Sequence, residues 1–222
     1  MKTLVATVFS ACLTLVAGGA SSGASGTFDL GNSPLLESEY GRKTLSYLIE
    51  CALPSGALAE AEFEAVTYSF VGAIGLAPNW QSAPITSAEQ QAVSACMFAR
   101  VNAFGVPVQI SMRTKSPSLE AVEKLMASAD EMASHTVFEG RFWGNIFLAE
   151  PVAYTCQGEA SVYQTDYLRK IKRICTLPLP EKDPLGRSIS ACGFVVTGIC
   201  DDRGSIAVEE VQFDYVIDTY LR

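Results

Sequence analysis

Six cysteines between residues 51 and 200 constrain this fold more than any other feature: Cys51, Cys96, Cys156, Cys175, Cys192 and Cys200. In an exported chain, an even set reads as three disulfides, with fifteen connectivities open on paper. No pair has the CxxC spacing of a zinc knuckle, and the single histidine, His135, stands apart, so no metal is expected. The run CGFVVTGIC (192–200) is compatible with a bridge between paired strands. Proximity favours Cys156–Cys175, which leaves Cys51–Cys96 to join two helices.

Export is read from the N-terminus. Met1-Lys2 is a short positive region, Thr3–Ala17 is apolar, and Gly18-Gly19-Ala20 supplies small residues for a signal peptidase. The apolar run falls short of the roughly 20 residues that span a bilayer. A seventh cysteine, Cys12, lies inside it, but a lipid-modified cysteine should end such a run, and here LTLVA follows. Residues 1–20 are therefore expected to be a signal peptide, and the protein to be secreted or periplasmic. The chain carries 16 basic and 24 acidic residues, net −8, and loss of Lys2 makes it more acidic. That balance argues against nucleic acid as a partner and against anionic lipid held by bulk attraction. The basic cluster at 169–173 (RKIKR) reads as a solvated face. No later segment has 18 uninterrupted apolar residues, so no transmembrane segment is expected in the mature chain.

Residues 21–34 (SSGASGTFDLGNSP) read as a flexible lead-in to one domain over 35–222. Tyr40, Thr44, Leu48 and Cys51 recur at helical spacing, stopped by Pro54 and Gly56. Residues 62–76 alternate as a strand. Thr86 and Glu89 form a capping box for a helix over 87–104, with small residues on one face and Gly105 at its end. Val106, Val108, Ile110 and Met112 predict an edge strand with one wet face, since Pro107 is tolerated there. Ser116-Pro117 opens a second helix to about Ala133, with Met132 on its inner side. Strand-like runs follow at 136–148, 151–156, 189–199 and 206–221. The expected fold is α+β, with two to three helices packed on a largely antiparallel sheet, a strand-rich C-terminal third and three disulfides. Strands on either side of the 87–104 helix also leave room for a βαβ crossover, without a Gly-rich nucleotide loop.

The candidate chemistry lies in GRFWGNIF (140–147) and its flank. In a strand, Phe142, Gly144 and Ile146 share one face, while Arg141, Trp143, Asn145 and Phe147 share the other. The second set suits a platform for a sugar or peptide. Arg100 and Asn102, on the most apolar helix, would join it, because polar groups in apolar surroundings must find partners. Glu139, beside aromatic residues, is the candidate general acid, although glycoside hydrolysis needs a second carboxylate that no motif supplies. His135 reads as a helix-end cap, since no G-x-S-x-G elbow accompanies it. Asp201-Asp202-Arg203-Gly204 reads as a turn.

GLAPNW (75–80), SACMFARVNAFGVPVQISMR (94–113) and GRFWGNIF resemble runs in uncharacterised secreted bacterial proteins, over roughly residues 45–200. The resemblance implies an exported bacterial origin and carries no activity. The leading expectation is an exported, disulfide-stabilised binding or interaction module. Its ligand would be an extracellular or envelope glycan or protein, contacted through Arg100, Asn102, Arg141, Trp143 and Asn145, with no cofactor. The alternative is a secreted hydrolase, glycan-directed, with Glu139 as acid.

Overall fold

The computed structural model describes residues 30, 31, 33–102, 108–114, 125, 127–158, 175, 178–200 and 213–222. The leader at 1–20, most of the lead-in, Gly105, the helix start at 116–117, the basic cluster at 169–173 and the turn at 201–204 lie outside these residues.

A 3-10 turn, Pro34–Glu37, leads into α1 (Glu39–Ala52). Ser38 caps it, its hydroxyl accepting the Gly41 N–H at 3.0 Å. The buried stripe is Gly41, Leu45, Leu48, Ile49, Cys51 and Ala52; Leu48 and Cys51 face inward as expected, while Tyr40 is exposed. Gly41 is there because a Cβ would sit 2.3 Å from the Leu35 carbonyl oxygen, where the turn folds back on the helix.

The stretch read as one strand over 62–76 is instead half of a hairpin. β1 (Leu58–Phe63) pairs antiparallel with β2 (Val66–Val71), and the turn is Glu64-Ala65 with φ of 49° and 61°. Both turn residues are left-handed, a conformation that Asn-Gly or Asp-Gly usually signals.

The next helix, α2 (Ser87–Arg100), carries the expected capping box: Glu89 N–H to Thr86 Oγ1 at 3.3 Å and Thr86 N–H to Glu89 Oε2 at 2.8 Å. Thr86→Ala should lower stability by about 1 kcal/mol, measured as a shift in urea midpoint at constant m-value. The helix ends at Arg100, before the expected Phe104, because Val101 is already extended at φ −62° and ψ 155°. Asn102 is thus beyond the helix. α2 is buried from Ala92 to Ala99 and packs on α1, to which Cys51–Cys96 ties it.

The remaining elements are β3 (Ser111–Thr114), α3 (Ala129–Ser134), β4 (Val137–Asn145), β5 (Val152–Gly158), β6 (Pro178–Lys182), β7 (Ser188–Ser190), β8 (Val195–Cys200) and β9 (Val216–Leu221). They form one sheet in the order β3-β9-β4-β5-β8-β7-β6, antiparallel except for β5 with β8. The α+β class, the strand-rich C-terminal part and the three disulfides are therefore as expected. There is no βαβ crossover about α2, since β2 and β3 belong to different sheets. β3 is an edge strand; Ser111 is fully buried, Met112, Arg113 and Thr114 are half-buried, and Arg113 lies 3.8 Å over the Tyr220 ring.

The helix expected to run unbroken to about Ala133 is interrupted at 127–128, and residues 116–124 of that expectation lie outside the described residues. Ser128 is a non-helical N-cap accepting from Glu131 N–H at 3.1 Å, so α3 starts afresh at Ala129, and Met132 points outward at 47% exposure. Two disulfides also differ from the proximity reading: Cys156 pairs with Cys200 and Cys175 with Cys192. The hairpin turn falls between Ser190 and Val195, so Cys192 sits in the turn and Cys200 at the far end of β8. Parallel pairing sets Gly158 opposite Cys200 and so carries Cys200 to Cys156 on β5.

Candidate functional site

β4 lies inside the sheet, between β9 and β5, and from Phe138 to Asn145 every residue is buried. One face packs under α2: Phe142 meets Phe194 at 5.7 Å, and Phe98 meets Phe194 at 5.3 Å. The other face carries Arg141 and Trp143, and it too is closed. The Arg141 guanidinium forks onto the Asp218 carboxylate of β9, with Nη2 to Oδ2 at 2.9 Å and Nε to Oδ1. Trp143 is 1% exposed and stacks on Tyr154 at 5.9 Å. Its Nε1 is buried without a hydrogen-bond partner. Asn145 donates to Gln90 Oε1 of α2 at 3.2 Å and accepts the Phe147 N–H at 2.8 Å. Phe147 meets Trp80 edge-on. Gly144 ends the run at φ 139°, where a Cβ would lie 2.3 Å from the Val152 carbonyl oxygen.

Glu139 is the bulged residue of β4, where the register with β9 shifts between Phe138 and Gly140. It is 4% exposed, and the Thr219 hydroxyl donates to its Oε2 at 2.8 Å. A general acid must touch the bond it protonates, and this carboxyl points into the sheet. The expected platform of Glu139, Arg141, Trp143 and Asn145 is therefore not an open face. These groups are satisfied or packed within the protein, and none lines the cleft described next.

Arg100 and Asn102 sit elsewhere, at the C-terminal end of α2. They border a cleft of about 510 Å³, a size suited to a small organic ligand. Arg100 is ion-paired through Nη2 with Glu50 of α1, and its guanidinium lies 5.3 Å from the centre of the Tyr47 ring. Tyr47 also lines the cleft, and Val108 and Ile110, leading into β3, form its apolar wall with Met112 of β3. Glu131, His135 and the exposed Arg222 complete it.

The cap reading placed His135 at the helix end, where its N–H bonds the Glu131 carbonyl, but its ring does more. It is 7% exposed, with Nδ1 3.0 Å from Ser134 Oγ and 3.3 Å from the Glu131 carbonyl oxygen, while Nε2 is buried without a partner. Arg113 donates to the His135 carbonyl at 2.7 Å, pinning α3 to the edge strand. Ser134 and His135 do not make a relay, because no carboxylate hydrogen-bonds Nε2. Among the described residues no three His, Cys, Asp or Glu side chains gather as metal ligands. Tyr47, Glu131, Met112 and Arg222 carried no sequence signal as a group, since they come from four separated segments. Comparison with known protein families, characterised proteins and solved structures finds no match.

Proposed function

We propose that the chain is an exported, disulfide-stabilised binding module that holds a small ligand in the cleft between the end of α2, the approach to β3, and α3. The observation that carries this reading is the cleft itself. Polar side chains from three segments (Arg100, Asn102, Glu131, His135 and Arg222) face an apolar wall of Val108, Ile110 and Met112 in one concavity. Few polar groups set in an apolar lining are the usual make-up of a ligand site. Export, to the periplasm or the medium, is supported by the leader-like N-terminus and by three disulfides, which persist in oxidising compartments. Among the described residues no helix is long and apolar enough to cross a membrane.

The hydrolase reading draws no support from Glu139, which sits within the sheet. The test is native mass spectrometry of the oxidised chain after incubation with a soluble cell-envelope extract, run beside Met112→Trp, whose bulkier indole would obstruct the apolar wall of the cleft. A bound small molecule on the parent chain, absent from the variant and released unchanged, is the expected result. Glycan turnover that survives Met112→Trp and vanishes in Glu139→Gln would establish the hydrolase instead.

A further inference from the structure

Resting on that reading of the cleft, we infer that its ligand is an organic anion, a carboxylate or sulfonate on an apolar or aromatic body. Two guanidinium groups, Arg100 and Arg222, line the cleft against one carboxylate, Glu131. Glu50 pairs Arg100 from outside the lining, so two carboxylates stand against two guanidinium groups and an acid would be held by donor geometry rather than by net charge. Arg100 commits Nη2 to Glu50. A guanidinium has five N–H donors in a planar fork, so a second acid can be held from its other edge. The Glu50 pair and the Tyr47 ring hold the fork in place before a ligand arrives, so little side-chain freedom is lost on binding. The side-chain amide of Gln109, also in the lining, adds a neutral donor. Opposite them, Val108, Ile110 and Met112 offer a surface that no small inorganic anion would use. Head and body are thus both specified.

Two fluorescent probes separate the parts of this inference: 8-anilinonaphthalene-1-sulfonate, and N-phenyl-1-naphthylamine, which is the same aromatic amine without the sulfonate. Both are titrated against the oxidised parent chain, Arg222→Ala and Met112→Trp. Val108→Trp replaces the last should it fail to fold. The sulfonate should bind at least tenfold tighter than the neutral probe. Arg222→Ala should cost the sulfonate roughly tenfold, the size expected for one charged hydrogen bond, and change the neutral probe less than twofold. The obstructing tryptophan, set in the apolar wall, should weaken both. Equal affinity for the two probes, or equal loss of both in Arg222→Ala, overturns the anion inference and leaves the cleft as a binding site. Binding of neither probe, or binding untouched by the tryptophan, removes the cleft itself.

Discussion

Asp218→Ala should destabilise the chain by about 3–5 kcal/mol, the usual cost of removing one partner of a buried ion pair. Asp218 and Arg141 are cross-strand neighbours on β9 and β4, with side chains 2% and 3% exposed. Taking away the carboxylate removes the bidentate partner of a buried guanidinium that cannot give up its proton. The loss is therefore dominated by the desolvated charge that has lost this partner. Replacing both partners, as Arg141→Met with Asp218→Leu, should recover most of it, because a well-packed apolar pair can stand in for a buried ion pair. Urea unfolding followed by circular dichroism measures both, with midpoint and m-value read separately. A single-variant cost below about 1 kcal/mol would mean that Arg141 is not sealed in the sheet, and would reopen that face as a binding surface.

The same pair explains how far the sequence could be read. Alternation along GRFWGNIF set Phe142 apart from Arg141 and Trp143 as observed, but Gly144, at φ 139°, breaks it, so Asn145 turns to Gln90 of α2 and the strand ends there. It could not say that both faces would be covered, because that depends on β9 and β5 flanking β4, and the partner of Arg141 comes from 77 residues away. Polar residues on such a strand look like a site and are in fact an internal network. The fold class was legible because periodicity is local. So was the capping box at Thr86, since its bonds close within three residues. The β1–β2 hairpin was missed because Glu64-Ala65 adopts left-handed backbone without glycine or asparagine to announce it. Arg100 and Asn102 drew notice for their chemistry. The cleft they border could not be anticipated, because it requires α2 to stop at Arg100 and the edge strand to bring His135 and Arg222 alongside.

Removing the Cys51–Cys96 bridge, as the double variant Cys51→Ala with Cys96→Ala, should lower stability by about 4 kcal/mol. Its loop spans 45 residues, and the cost of leaving such a loop open in the unfolded chain has that size. For a chain of this length the loss corresponds to a fall in Tm of roughly 8–16 °C. Cys156–Cys200 closes a loop of nearly equal length, 44 residues, and should count about equally, while Cys175–Cys192 closes 17 and should count about 3 kcal/mol. Both α1–α2 cysteines are fully buried, so alanine leaves only a small void and no stranded polar group. The pairing itself is open to direct measurement by proteolysis without reduction, followed by mass spectrometry. Linked peptides should join 51 to 96, 156 to 200 and 175 to 192. Peptides joining 156 to 175 and 192 to 200 would instead require β8 to leave its parallel register beside β5. The sheet order would then fail with them, because β8 is the strand that connects the β6–β7 hairpin to the rest of the sheet.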